Sequence, residues 1–234
     1  MQAYYFRFDD VDGLAALGLS RAFRKQTAVV RELQPSNIEA RRMEIRYLYQ
    51  APRIAGGSRS KGEKLIAELE RIDSSEAYLA RLEVGPFESD GDAMIALLNE
   101  KPIAAADELG PRSSIVRKLI LTIENYRAAD AEMATWDAIE LPAEIEVERM
   151  FLRGVLRVLG GFEPAAAEAY LTEFVARRVA LADDIMEPVS RGYAYLGDAR
   201  RSQNKLAGAR EAYEAALKLD ADDRRAKNGL AELE

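Results

Sequence analysis

Apolar side chains recur along this chain at spacings of three and four, and no stretch alternates apolar with polar for the length of a strand. Leu65, Ile66, Leu69 and Ile72 share one side of a helix expected over Lys61–Ile72. Ile115, Leu119, Ile120 and Ile123 do the same over Ser113–Tyr126. The same reading predicts one or two helices over Leu14–Leu33 and single helices over Ile38–Tyr49, Ala77–Leu82, Asp92–Leu98 and Ile103–Leu109. Further helices are expected over Ala128–Ile139, Glu144–Leu159 and from Pro164 to about Leu181. Breaks fall where the backbone is punctuated: Pro35-Ser36-Asn37, Pro52 with Gly56-Gly57, Pro86 to Gly91, Gly110-Pro111, Leu141-Pro142, Gly160-Gly161 and Pro188. Pro102 is placed to open the helix at Ile103.

Helices joined by such short turns bury their stripes by packing antiparallel. The composition agrees, with 48% apolar and 31% charged residues over 234 positions, rich in alanine, leucine, glutamate and arginine. The fold class is all-α, and whether the pairs form a bundle or a stack depends on an internal repeat.

That repeat is clearest at residues 190–223. Tyr193 takes a large apolar position early in one helix, and Leu196-Gly197 follow, the small residue allowing close approach of the next helix. Ala209, Tyr213 and Ala216 mark a second helix that closes on Leu217, Leu219 and Asp220. This pattern resembles the tetratricopeptide repeat, a 34-residue helix–turn–helix unit. Two positions depart from it: Arg200 stands where an aromatic is usual and Ala221 where a proline is. Leu230-Ala231 fall one period after Leu196-Gly197, so residues 224–234 read as a further first helix or a cap. Upstream the match fades. Gly62, Ile66, Leu69, Ile72 and Asp73 fit a second helix, and Gly154, Gly161, Ala166, Ala169 and Tyr170 hint at one more unit. The resemblance implies a right-handed solenoid of stacked antiparallel pairs, one domain over 1–234, divergent over 1–140 and more regular over 141–234.

Charge and chemistry narrow the function. The net charge is −7, and the basic clusters at Arg41, Arg42 and Arg46, at Arg177-Arg178 and at Arg200-Arg201 are interleaved with acids. This balance disfavours nucleic acid as a partner, since capture of a phosphate backbone calls for a basic stripe. With neither cysteine nor histidine, the chain has no thiolate or imidazole for nucleophilic, redox or metal chemistry. Gly56 to Gly62 is the nearest approach to a phosphate loop, but Glu63 follows Gly62 where a lysine is needed and no strand precedes it. Ser58 with Lys61 and Ser202 with Lys205 have a Ser-x-x-Lys spacing without the companion motifs of serine acyl-transfer enzymes. The pairs Asp9-Asp10, Asp183-Asp184 and Asp222-Asp223 read as helix-end acids, and Asp9, Asp10 and Asp12 lack the rest of a calcium loop. The aromatic opening, Tyr4, Tyr5, Phe6 and Phe8, reads as packing against the first helix pair. No catalytic, cofactor or metal residue is assigned, and no enzyme is expected. The first residues lack a signal-peptide pattern and no apolar run would span a bilayer, which makes cytoplasm the default, or periplasm had a leader been removed.

In such a solenoid the first helix of each unit lines the inner surface. The register then places Arg191, Ala194, Asp198 and Arg201 in a groove, two guanidinium forks about one carboxylate, suited to an acidic or mixed-charge peptide. The family's carboxylate-gripping lysines and asparagines are not matched, since two of their positions hold Ala194 and Asp198. A protein-interaction module is the leading reading. A self-associating scaffold docking through the terminal helix, with Leu230 and Leu233 as its apolar contacts, is the alternative. A ligand-binding or enzymatic role comes third and would need a cavity in 76–140, lined by Tyr126 and Trp136.

Overall fold

The computed structural model describes residues 13–88, 90–101, 103, 108–179, 181 and 187–234. The aromatic opening, Asp9, Asp10, Asp12, Pro102, Asp183 and Asp184 lie outside these. Among the described residues the structure is helical, without a strand. The helices are α1 Gly13–Leu33, α2 Ile38–Gln50, α3 Arg59–Glu70, α4 Ser74–Val84, α5 Gly91–Asn99 and α6 Leu109–Lys118. They continue as α7 Tyr126–Thr135, α8 Ala143–Gly160, α9 Pro164–Arg178, α10 Val189–Arg201, α11 Leu206–Leu219 and α12 Arg224–Ala231. The chain divides into two compact units, Met1–Leu97 and Leu98–Glu234.

In the first unit α1 to α4 pack in chain order, and α2 also meets α4. Asn37 caps α2 by accepting the Ala40 N–H at 2.8 Å, which is why Pro35-Ser36-Asn37 is a helix start. The long linker is tighter than its glycines suggest. Arg53–Ala55 form a 3₁₀ turn, Gly56 closes it at φ 96°, and Ser58 caps α3, which therefore begins at Arg59, two residues before the expected start. A Cβ on Gly57 would lie 1.7 Å from the Ala51 carbonyl oxygen, so only glycine fits this turn. Phe23, Ile45, Tyr47, Leu48, Leu65, Leu69 and Ala77 meet in one core, with the Phe23 and Tyr47 rings 4.9 Å apart. Gly62 lets α3 approach the Tyr49 ring of α2, as expected of a second helix in a repeat.

In the second unit helices expected as Ser113–Tyr126 and Ala128–Ile139 are shorter. Pro111 does not restart a helix: it sits in the first turn of α6, where its missing N–H has no partner to lose. Of the helix expected over Ile103–Leu109, residues 104–107 lie outside the described residues; Ile103 is not helical and Leu109 opens α6. A π-turn, Leu119–Ile123, ends α6 and is closed by Glu124 at φ 58°. From α8 onward each helix packs on the next, and α8, α10 and α12 also meet in sequence, so this part stacks as a solenoid-like array.

Glycines and rings set the spacing of that array. The buried Tyr213 ring of α11 lies between Gly197 of α10 and Gly229 of α12, where an added Cβ would come within 2.3 Å on either side. One pair earlier Gly154 faces Leu171 and Gly192 faces the Phe174 ring. Ala167, Leu171 and Phe174 are fully buried and take the places that Ala209, Tyr213 and Ala216 hold in the next pair. The upstream unit is thus real in form, but Ala169 is exposed and the small core residue is Ala167. Likewise the close approach in α12 is made at Gly229, while Ala231 is exposed.

Candidate functional site

The second unit holds a concave cavity of about 560 Å³, walled by α8, α10 and α12 together with the α8–α9 turn. Arg157 enters from the last turn of α8, Asp198, Arg201 and Ser202 from the end of α10, and Arg225 from the first turn of α12. Stacking of alternate helices brings these side chains together from three separate stretches of sequence.

Asp198 is the hub. It is only 8% exposed, accepts the Tyr213 hydroxyl at 2.6 Å, receives Arg225 on its other oxygen and stands 3.6 Å from Arg201. Burial raises the Tyr213 phenol far above its usual pKa, and the hydrogen bond to the Asp198 carboxylate raises it further, so the hydroxyl stays a donor. The Arg225 guanidinium also lies 4.1 Å from the centre of the Tyr195 ring, a cation–π contact that fixes its plane. Arg201 reaches outward to Glu232 as well.

Arg157 is held from behind. Its Nε donates to Glu163 at 2.9 Å and its Nη1 to Asp130 at 3.1 Å, with the Tyr170 ring centre 5.2 Å away. Glu163 adopts a left-handed backbone (φ 47°) just before Pro164, an unusual conformation for a residue with a side chain. The wall therefore carries three guanidiniums and one carboxylate. The acids that pair with Arg157 and Arg201 from outside it are solvent-facing: Glu163 is 61% and Glu232 58% exposed. The Arg201–Glu232 pair contributes little in water, so Arg201 can exchange partners at small cost, whereas Arg157 is itself buried and also holds Asp130.

Of the expected groove residues, Asp198 and Arg201 come together here. Arg191 does not: its Nη1 is 3.0 Å from Glu187, itself paired with Arg117. Ala194 is buried in the core with Ala209, Tyr213 and Ala226, since its helical position turns it toward α11 and α12. The second fork about Asp198 is Arg225. Residues 224–234 read as a further first helix or a cap, and the inner-surface rule applied to the first of these reaches Arg225; the groove assignment missed both Arg225 and Arg157.

The remaining basic and acidic motifs serve the fold. Arg41 donates to the Pro35 carbonyl and to Glu68, Arg42 to Glu76 and Glu83, and Arg178 to the Glu187 carbonyl. Arg177 pairs with Glu173. Arg200, at the usual aromatic position, bridges Glu168 and the Gly208 carbonyl. Ser202 donates to the Ala199 carbonyl and Lys205 binds Glu168, so neither member of that Ser-x-x-Lys pair faces the other. Asp223 caps α12 by accepting the Ala226 N–H at 2.9 Å. Trp136 is core: fully buried, its indole donates to Glu132 at 2.9 Å. Leu230 and Leu233 are half-buried against the Tyr213 core. Among the described residues no cluster of acids could hold a metal ion, and no helix is long and apolar enough to cross a membrane.

Comparison with known proteins adds no family: no family model matches the chain, and no curated protein matches it either.

Proposed function

We propose that this chain is a non-enzymatic interaction module, a tetratricopeptide-like adaptor that takes an acidic or mixed-charge segment of a protein partner into the cavity of α8, α10 and α12. The helical-repeat architecture is of the kind that serves as an interaction scaffold. The observation that carries the reading is the wall itself, three guanidiniums about one buried carboxylate, two of them (Arg157 and Arg225) held by rings, with solvent-facing acids as outer partners of Arg157 and Arg201. An incoming carboxylate would take over donors already aimed and partly desolvated, an arrangement that favours planar, bidentate recognition.

The test is capture from source-cell lysate by the tagged chain, beside a variant carrying Arg157→Gln and Arg201→Gln and matched for helicity. A specific partner held by the parent and released by the variant supports the module and its groove. Partners held equally by both move the binding face elsewhere. Recovery of the chain's own untagged copies alone favours the self-associating scaffold.

A further inference from the structure

The first unit holds a second cavity, about 320 Å³, between α1, α2 and the start of α3, with Gly56 of the α2–α3 linker on its rim. Its polar wall is Arg24, Arg31, Lys61 and Lys64 against Glu44 and Glu68. Both carboxylates are already engaged. Glu44 takes Arg31 at 3.3 Å, and Glu68 takes Arg41 at 3.2 Å with Arg31 at 3.8 Å. The side chains of Arg24, Lys61 and Lys64 have no carboxylate of their own among the described residues. Acids outnumber bases in this chain by 40 to 33, yet three cations without a carboxylate among the described residues converge on this one cavity.

The fold brings them there by specific means. Gly56, at φ 96°, leaves the space that the Arg24 guanidinium fills, for a Cβ at that position would lie 2.6 Å from its Nη1. Capping by Ser58 starts α3 early enough that Lys61 and Lys64 fall in its first two turns, on the cavity side. The apolar part of the wall is Ala28, Leu48 and Leu65, and the Tyr47 hydroxyl is committed to the Ala55 carbonyl. The segment closest in sequence to a phosphate loop thus forms one wall of a cationic cavity, by a route unrelated to that motif.

We infer that this cavity binds a small organic phosphate, its phosphoryl group among Arg24, Lys61 and Lys64 and its organic part against Ala28, Leu48 and Leu65. Repulsion among the cations is relieved best by a dianion with three acceptor oxygens, one for each unpaired donor, whereas a single carboxylate offers half the charge. The volume is at the lower end for ligand sites, which sets the size class.

Isothermal titration of the full chain tests this, with glycerol phosphate, inorganic phosphate, glycerol and citrate as probes. Glycerol phosphate should bind, and more weakly as pH falls through about 6, where the phosphoryl dianion takes up a proton. Lys61→Gln with Lys64→Gln should weaken it about a hundredfold at unchanged helicity, since each of the two lost charge-assisted bonds is worth about tenfold. Arg201→Gln, in the other unit, should leave it unchanged. No heat at ester concentrations up to about 10 mM would overturn the proposal. So would undiminished binding by the double lysine variant, or citrate binding as well as the ester does. Inorganic phosphate binding as tightly as glycerol phosphate would overturn the assignment to an ester.

Discussion

Gly197→Ala tests most directly how the helices of the second unit are spaced. The new Cβ would lie 2.3, 2.5 and 2.8 Å from three carbons of the Tyr213 ring, where carbon atoms normally stand about 3.5–4.0 Å apart. The ring must therefore move by about 1 Å, and it has nowhere to go. Gly229 faces it within 2.3 Å of a Cβ position, and its hydroxyl is tied to Asp198 at 2.6 Å. Overpacking of a core costs about 1–3 kcal/mol. Replacing a helical glycine by alanine returns up to about 1 kcal/mol. With the ring blocked on its far side the steric cost prevails, and the expected net loss is about 2 kcal/mol, or roughly 6 °C in Tm for a unit of this size. The single tryptophan, Trp136, is buried in the same unit, so its fluorescence follows the melt alongside far-UV circular dichroism. Two further variants isolate the cause. Gly208→Ala meets only the flexible Arg200 side chain, at 3.3 Å, and should not destabilise, gaining up to about 1 kcal/mol instead. In a Tyr213→Leu background, itself destabilised, adding Gly197→Ala should cost much less than it does in the parent. A Gly197→Ala protein as stable as the parent, or a penalty unchanged by Tyr213→Leu, would refute the wedge.

Arg112 is 1% exposed and lies between two buried carboxylates, 2.6 Å from Glu132 and 3.4 Å from Glu108. Arg112→Met would strand both acids, and a loss of about 3–5 kcal/mol is expected, read by the same fluorescence melt because Trp136 donates to Glu132. Glu168 has a pKa lowered by hydrogen bonds from Lys205, Gln203 and Arg200, which outweigh its partial burial. A depressed carboxylate stabilises the fold above its unfolded pKa of about 4.3 and loses that contribution as pH falls through the folded value. Glu168→Gln should therefore lower Tm at neutral pH and converge with the parent only once pH has fallen below the depressed folded value; a deficit that persists there would show that charge is not its source.

How much of this was legible in the sequence follows from the range of each interaction. Helix positions are local, and the three- and four-residue spacing predicted nearly all of them. The misplaced ends have local causes that periodicity does not register, namely the Ser58 cap, the tolerance of a first helical turn for Pro111 and the π-turn at Leu119–Ile123. Leu196-Gly197, Ala209, Tyr213 and Ala216 were read correctly as packing positions because a repeat imposes its register on the residues themselves. The site was half legible. Asp198 and Arg201 share a helix and could be placed together, whereas Arg225 and Arg157 arrive from neighbouring pairs, one of them across a longer connection than the repeat allows. Ala194 was lost to the core because one helical position separates the groove face from the packing face.

The Tyr213 and Phe174 rings, each seated against a glycine of the following helix, also decide who bears the entropy of an encounter. Helices keyed in this way cannot slide past one another without lifting an aromatic ring out of its seat, so the walls of the α8, α10 and α12 cavity are ordered before anything enters it. Whatever segment settles there meets a preorganised surface, and nearly all the freedom lost on binding is its own.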